Sequence, residues 1–335
     1  MRVPSVFLLV LSIGFSVISS ANDDKELIVY SGRSDKFVKP VVEAFAKETG
    51  IKVVLHSAKS TALLNKLKIE GERTPADLFL SNDAGNLQLG SELGLFQPVS
   101  SSTAGHIANN LRAPDNQWIG LSGRARVLVV NKHSKIANSI DSVFDLADPR
   151  LKGRLGITNS TNESFIAGVT VYMEAVGVDK TQAWLEGIKE NANGQVFAKH
   201  SKIVASVANG KNDIGLVNHY YIYRHLAAHP DAPIKIVMPD QGDKDIGIAM
   251  NVAGIAITKH TKKYALAERF VDFLVSETGQ KLFAEVNREY PAREGVAAAP
   301  EVPQPGTFKV STVPMSALGK QRNATIDLIE KVGML

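Results

Sequence analysis

The chain has 335 residues, of which 44% are hydrophobic and 21% are charged, and its formal net charge is +4. Both fractions are near the averages for soluble globular proteins, so the composition excludes a disordered or fibrous chain and predicts about two domains. The absence of cysteine excludes disulfide scaffolds, thiol nucleophiles, iron–sulfur clusters and cysteine-ligated zinc, and no basic run indicates nucleic-acid binding.

The first residues have the pattern of a secretory signal peptide. Arg2 precedes the apolar stretch 6–18, which is too short for a membrane span, and the small residues Ser19 and Ala21 fit a cleavage site. We therefore expect residues 1–21 to be a cleaved signal peptide and the mature protein to be exported and soluble.

Strand and helix patterns alternate from residue 26 onward. The first five predicted elements are a strand at 26–31, a helix at 37–49, a strand at 51–55, a helix that is capped by Ser60 or Thr61 and ends near Gly71, and a strand at 76–81. This βαβαβ order predicts an α/β fold with a mostly parallel sheet.

Later elements continue the alternation. Further strands are predicted at 118–121 and 125–131, separated by Gly123, and at 214–217, 234–238 and 252–258. Further helices are predicted at 164–175, 180–191, 202–209, 221–228, 263–276 with a cap near Thr261, and 317–331. The Ala/Pro-rich stretch 297–305 predicts an extended connection.

Motifs for catalysis or nucleotide binding are missing from the sequence. It contains no G-x-G-x-x-G, G-x-x-x-x-G-K-[ST], G-x-S-x-G or H-E-x-x-H pattern and no EF-hand loop. His219, His225 and His229 have spacings of six and four, which define no ligand set, and we expect them on a solvated helix face. These observations favour a binding protein over an enzyme.

Two adjacent tyrosines stand where a predicted strand gives way to a helix. Tyr220 and Tyr221 follow strand 214–217, and neighbours in a first helical turn are about 100° apart, so both phenols can reach one point. The alternative is that both rings pack at this junction. A free phenol has a pKa of about 10, so only a strong, hard cation such as ferric iron holds two phenolates at neutral pH.

Beyond single motifs, the chain resembles the bacterial periplasmic ferric-ion-binding proteins, the solute-binding components of iron ABC importers. Ordered segments carry the resemblance: 29–32 (VYSG), 45–53 (FAKETGIKV), 74–79 (TPADLF), 118–124 (WIGLSGR), 152–154 (KGR), 218–221 (NHYY), 288–293 (REYPAR) and the C-terminal helix. It implies a monomer without catalytic turnover, located in the periplasm, that delivers iron to an inner-membrane permease with a separate ATPase subunit.

The resemblance also implies a two-lobed type II periplasmic binding protein. Each lobe is expected to be a mixed, mostly parallel sheet flanked by helices, with two crossing strands as the hinge. The expected boundaries are 22–123 with 251–302 for the N-terminal lobe, and 124–250 with 303–335 for the C-terminal lobe.

The same resemblance makes Tyr220 and Tyr221 the main ligands of Fe(3+). It places Asn218 and the loop 159–164, with Thr161 and Asn162, around a synergistic anion, phosphate or carbonate. The chain departs from the family at Ser34 and Asn82, where many relatives have histidine and glutamate.

Nearby carboxylates are the candidate replacements for those ligands. Asp35, Asp83 and Glu163 each stand beside a family ligand position or in the anion loop, and each has the alternative of a solvated surface acid. Arg124 and Arg126 are expected either to offset phenolate and anion charge or to form surface salt bridges.

Two other functions stay open at this point. The same fold binds anionic organic solutes, and a sugar phosphate held by Arg124, Thr161, Asn162 and Asn218 is the first alternative. An exported hydrolase is the second, although no motif supports it.

Overall fold

The computed structural model describes residues 25–334, so the predicted signal peptide lies outside the described residues. Within this range the strands are β1 (Glu26–Ser31), β2 (Lys52–Ser57), β3 (Leu78–Ser81), β4 (Phe96–Gln97), β5 (Ile119–Asn131), β6 (Leu155–Thr158), β7 (Val196–Phe197), β8 (Ile214–Asn218), β9 (Ile234–Val237), β10 (Met250–Thr258) and β11 (Tyr290–Pro291).

Helices surround these strands. They are α1 (Lys39–Thr49), α2 (Ser60–Glu70), α3 (Ala84–Glu92), α4 (Ser101–Ala104), α5 (Glu163–Val176), α6 (Val178–Ala192), α7 (His200–Ala208), α8 (Tyr220–Ala228), α9 (Tyr264–Val275), α10 (Glu277–Asn287), α11 (Ala317–Lys320) and α12 (Arg322–Lys331). None of the helices between residues 25 and 334 combines the length and hydropathy that a membrane span needs.

The first half of the sheet confirms the predicted βαβαβ unit. Strand β1 pairs in parallel with β2 on one side and with β3 on the other. Strand β10 then pairs antiparallel with β3, so a strand from late in the chain completes this half. Helix α1 covers the sheet with Val41, Val42 and Phe45, and the Phe45 ring lies 4.8 Å from that of Phe270. These apolar side chains lie on one face of α1, and their burial stabilises this half of the sheet.

The second half of the sheet is built on the later part of β5. Strands β8 and β9 pair antiparallel with it, and β6 pairs in parallel with β8 and with β7. The main strand order is therefore β2-β1-β3-β10-β5-β8-β6-β7. This mixed α/β arrangement is that of a two-lobed type II periplasmic binding protein, as predicted.

The predicted break in β5 is wrong. The two predicted strands are one continuous strand of 13 residues that includes Gly123. A β-carbon at Gly123 would lie 3.3 Å from Met250 Sδ and 3.3 Å from Tyr290 Cβ, so close packing of β10 and β11 explains the glycine. Strand β5 therefore runs from one half of the sheet into the other without a turn.

Three other local predictions also differ from the structure. Ser60 is the first residue of α2, not a side-chain cap; its hydroxyl accepts from the Asn82 backbone N–H at 3.3 Å. The predicted final helix is two helices, α11 and α12. The predicted helix 263–276 ends at Val275. It is followed directly by α10, a helix that was not predicted, whose N-terminus is capped by Ser276. The stretch 297–305 has neither helix nor strand, as expected.

Candidate metal centre

The adjacent tyrosines begin helix α8 directly after β8. Strand β8 ends at Asn218, and His219 turns the backbone into the αR region before Tyr220. The Tyr220 and Tyr221 ring centres are 4.4 Å apart with planes inclined by 32°. Tyr220 is buried, whereas Tyr221 is partly exposed. The two rings therefore lie side by side, and both tyrosines line the same pocket.

That pocket, the tyrosine pocket below, has a volume of about 230 Å³. Its other lining residues come from both halves of the sheet and are mostly polar: Arg33, Ser34, Phe37, Asn82, Arg124, Asn162, Glu163, Ser164, His200 and Asn218. A larger polar cavity of about 660 Å³ shares part of this lining, and Lys59, Thr161 and Arg322 also line it.

Most of the predicted site residues line these two cavities. The tyrosine pocket contains Tyr220, Tyr221, Asn82, Asn162, Glu163, Asn218 and Arg124, and the larger cavity contains Thr161. Ser34, where the family resemblance implied a departure from the usual ligand, lines both cavities. Asp83, Asp35 and Arg126 line neither of them.

Asp83 has a structural role. Its carboxylate caps α3 by accepting from the Asn86 backbone N–H at 3.0 Å, and it also accepts from Asn251 Nδ2 at 2.9 Å. The Arg322 guanidinium lies 3.4 Å from the same carboxylate. Asp83 therefore fixes α3 against β10, and its oxygens are already partnered.

Asp35 is partly exposed and does not line either cavity. The Ser57 hydroxyl donates to it at 2.5 Å, and Lys39 forms an ion pair with it at 3.2 Å. The Ser57 hydrogen bond, aided by Lys39, lowers the pKa of Asp35. Asp35 is thus a partly exposed surface acid, which was the alternative to its being a replacement ligand.

Arg124 supplies unused hydrogen-bond donors to the tyrosine pocket. The side chain is buried, and its Nε and Nη2 atoms have no hydrogen-bond partner among the described residues. A buried guanidinium without acceptors is unfavourable, so the geometry suits an anion that accepts from it.

Arg126 lies two residues further along β5 and forms a hydrogen bond within the protein. Its Nη1 atom donates to Asn218 Oδ1 at 3.2 Å, and burial lowers its pKa to about 10. Asn218 in turn donates from Nδ2 to the Ser164 hydroxyl at 3.1 Å. This chain of bonds ties the end of β8 to the start of α5.

The loop that was predicted to hold an anion leads directly into the N-terminus of α5. Asn162 is the N-cap residue, and its side chain accepts from the Ser164 backbone N–H at 2.9 Å. The unpaired N–H groups and the positive end of the helix dipole favour negative charge at such a terminus. The α5 terminus and Arg124 give this wall of the pocket positive charge, beside the carboxylate of Glu163.

Glu163 is the only carboxylate among the described residues that line either cavity. It accepts weakly from Asn86 Nδ2 at 3.3 Å. Burial, together with the negative charge of Asp83, raises its pKa. A carboxylate held in this way gains from a cation beside it, because a cation favours its charged form.

His219, directly before the tyrosines, differs from the sequence-based expectation. His219 is fully buried, which corrects the prediction of a solvated face for this residue. Its Nδ1 accepts from the Ala125 backbone N–H at 3.2 Å, which leaves Nε2 to donate to the Arg288 carbonyl at 2.8 Å. Burial lowers its pKa to about 4, so the ring is neutral.

His200 is a pocket residue that the sequence analysis missed. It is buried, lies with its ring 5.1 Å from that of Tyr221, and has no hydrogen-bond partner for either ring nitrogen among the described residues. Burial, reinforced by the charges of Arg126 and Arg124, lowers its pKa well below the usual value. It therefore presents a neutral imidazole with one free N–H.

An ion pair supports the opposite wall of the pocket. Arg33 donates to both carboxylate oxygens of Glu289, at 2.8 and 2.9 Å, and both side chains are buried. Burial alone would raise the pKa of Glu289, but the charge and hydrogen bonds of Arg33, together with the charge of Arg124 and the Ser122 hydroxyl, outweigh it and lower the pKa. The sequence analysis missed this pair, although Glu289 lies inside the REYPAR segment.

Among residues 25–334 no group of three or more histidine, cysteine, aspartate or glutamate side chains is placed to hold a metal ion. The phenol oxygens of Tyr220 and Tyr221 are the other potential metal ligands in the tyrosine pocket. Burial and the neighbouring Tyr220 raise the pKa of Tyr221, so its phenol is neutral until a cation displaces the proton.

Comparisons with known proteins identify the family of the chain. The family model for bacterial extracellular solute-binding proteins matches residues 27–286. The chain is 32% identical to iron uptake protein A1 of Synechocystis, over 95% of this chain and 89% of that protein. It is 30% identical to the major ferric iron-binding protein of Neisseria meningitidis, over 92% of this chain and 93% of that protein.

A solved structure adds a three-dimensional match. The Trichodesmium protein IdiA (FutA), determined in complex with iron and citrate, is 33% identical to this chain and superposes with a TM-score of 0.81. The match covers 92% of this chain and 100% of that one.

Proposed function

Because the chain belongs to the bacterial extracellular solute-binding proteins, and within them to the periplasmic ferric-ion-binding proteins, we propose that it captures Fe(III) between its lobes and delivers it to an ABC importer. The observation that carries this function is the pair of neighbouring phenols in one polar pocket, with ring centres 4.4 Å apart. Two phenolates are hard anionic oxygen donors, and a trivalent cation is the partner that stabilises both at neutral pH.

Tyr220, Tyr221 and Glu163 are the proposed protein ligands. Glu163 is included because it is the only carboxylate among the described lining residues of the pocket. Two phenolates and one carboxylate carry three negative charges, which balance the charge of the ferric ion. Ser34 and Asn82 lack an anionic or imidazole donor, and we assign them no direct bond to iron.

A synergistic anion, phosphate or carbonate, completes the proposed iron shell on the electropositive wall. Arg124 has free donors there, Asn218 and Asn162 border it, and Thr161 lines the adjoining cavity. We add His200 as a donor to this anion, because its ring is neutral, buried and without a partner among the described residues. Fe(III) prefers oxygen, so the imidazole N–H is the more suitable participant than the nitrogen lone pair.

The lobes are proposed to close about β5 and β10. We place the boundaries at 22–123 with 251–302 and at 124–250 with 303–335, so that both strands cross between lobes. The three proposed ligands lie in the second lobe, and closure is proposed to cover the bound ion with Arg33, Ser34 and Asn82 of the first lobe, which gives the permease a closed state to recognise. The proposed location is the periplasm, the proposed state is a monomer, and no catalytic turnover is assigned.

The test is a spectrum of chelator-stripped protein after addition of ferric citrate. Tyrosinate ligation gives a visible phenolate-to-iron charge-transfer band, and its absence would contradict the proposal. Thermal shifts with ferric salts and with a sugar phosphate separate the alternative ligand, since a ligand at 100 times its Kd stabilises by about 2.7 kcal/mol. Stabilisation by the phosphate ester alone would favour an organic anion.

The anion component is tested separately with Arg124→Gln and His200→Ala. Ferric affinity of the wild type is expected to rise with added phosphate or carbonate, and both variants should lose that dependence. An anion dependence that both variants retain in full would remove these residues from the anion site.

A further inference from the structure

Helix α8 carries a second group of potential metal ligands beyond the tyrosines. His225 lies on its last turn and is partly buried, while His229 is the C-cap residue and is exposed. The two ring centres are 4.8 Å apart, with planes inclined by 47°. Neither residue lines the tyrosine pocket or the larger polar cavity.

The spacing of the two rings suits a shared metal ion. Residues four apart project from the same face of a helix. With a metal about 2 Å from each coordinating nitrogen, two imidazoles on one ion have ring centres about 5 Å apart. The observed separation of 4.8 Å between the ring centres is close to this value.

The electrostatics at this end of the helix also favour a cation. The last carbonyl groups of α8 point toward its C-terminus, where the helix dipole places partial negative charge. Burial and the proximity of His229 lower the pKa of His225, so its imidazole is in the neutral form that binds metals at pH 7.

We propose that His225 and His229 form a second metal site for a borderline divalent cation such as Cu²⁺, Ni²⁺ or Zn²⁺. Imidazole nitrogen suits these ions, whereas the phenolates and carboxylate of the tyrosine pocket suit ferric iron, so the two sites select different metal classes. No third histidine, aspartate or glutamate joins the pair among the described residues, so water completes the coordination. The Irving–Williams order makes Cu²⁺ the tightest binder.

The experiment is a Cu²⁺ titration of untagged, iron-loaded protein, followed by electron paramagnetic resonance and by isothermal calorimetry. Iron loading fills the tyrosine pocket, so copper there does not contribute. We expect one copper per chain with hyperfine coupling to two nitrogens. His225→Ala and His229→Ala should each weaken binding by about tenfold or more, whereas His106→Ala, at an exposed histidine elsewhere, should not.

Two results would overturn the site. One is a copper affinity that is the same in His225→Ala, His229→Ala and the wild type. The other is a spectrum with one or no coupled nitrogen. The ferric charge-transfer band of each variant provides the folding control, because neither histidine belongs to the proposed iron shell. An unchanged band with lost copper binding supports the second site even if the assignment of iron ligands changes.

Discussion

The guanidinium carbon of Arg224 lies 4.3 Å from the centre of the Phe37 ring. Arg224 is on α8 with the two tyrosines, whereas Phe37 precedes α1 in the other half of the molecule. Arg224 also donates to the Val286 carbonyl at 3.1 Å, and the Phe37 and Tyr220 ring centres are 6.2 Å apart with planes inclined by 74°. These contacts join the ligand-bearing helix to the opposite wall of the cleft.

We expect Arg224→Ala to weaken ferric binding without changing the iron shell. A cation–π contact contributes about 0.5–2 kcal/mol, which corresponds to about 2- to 30-fold in affinity if it forms only in the closed state. Citrate competition measures the affinity, and the charge-transfer maximum should stay where it is. A double-mutant cycle with Phe37→Leu checks the contact, and purely additive effects would contradict it.

Replacing either ligand tyrosine by phenylalanine should lower ferric affinity by roughly 100-fold or more, a loss of about 3 kcal/mol. The ring and its packing remain, so apo stability should change by no more than the roughly 1 kcal/mol of one hydrogen bond. Tyr220→Phe and Tyr221→Phe are measured by citrate competition and by the intensity of the visible band.

Tyr223→Phe is the matched control for that pair. Tyr223 is on the same helix, about 200° around the axis from Tyr221, and burial raises its pKa to about 12. We expect its variant to bind iron as the wild type does. Equal affinities for all three variants and the wild type would show that the tyrosine rings only pack.

Glu163→Gln distinguishes a carboxylate ligand from a merely buried acid. If the carboxylate binds Fe(III), its loss should reduce affinity by about tenfold or more and shift the charge-transfer band, since the electron density at the ion changes. Glu174→Gln is the control, because Glu174 is exposed on the same helix. Wild-type affinity in both variants would remove Glu163 from the proposed shell.

The Arg33–Glu289 pair predicts a specific loss of stability in acid. The folded-state pKa of Glu289 is depressed, so its contribution is fully present above the unfolded value of about 4.5 and is lost as the pH falls through the folded pKa. At pH 7, Glu289→Gln should lower the free energy of unfolding by about 3–5 kcal/mol, because Arg33 is left buried without its partner.

Urea unfolding of apo protein between pH 3 and pH 7 checks this. Wild type should lose stability more steeply than Glu289→Gln as the solution is acidified. Glu285→Gln, at an exposed position of α10, should follow the wild-type curve. Parallel curves for Glu289→Gln and wild type would rule out a depressed pKa at this carboxyl.

Local sequence patterns predicted the features that depend on local forces. Strand β1 has the predicted bounds because its apolar residues are bounded by polar ones, and α1 ends at Gly50, whose φ of 70° favours glycine. The strand-to-helix junction at Tyr220 was predicted from the same kind of local information, and the residues it brings together were predicted to share one pocket.

Features that depend on distant partners were out of reach. Gly123 has the pattern of a strand break, yet the structure uses it for close packing under Tyr290. Arg33 and Glu289 are 256 positions apart, so neither side chain alone indicates the pair. His219 belongs to a polar, histidine-containing segment, but its burial depends on Ala125 and Arg288, which lie on other elements.

The position of β10 in the sheet has a consequence for the order in which the chain can fold. Strand β10 lies between β3 and β5, so during synthesis both of those strands have an open edge until residue 250 and those that follow it are available. The first half cannot be completed as an independent unit from its own continuous stretch of sequence. The native pairing of β3 and β5 with β10 therefore waits for the last third of the chain, and a fragment cut before Met250 should expose strand edges prone to aggregation.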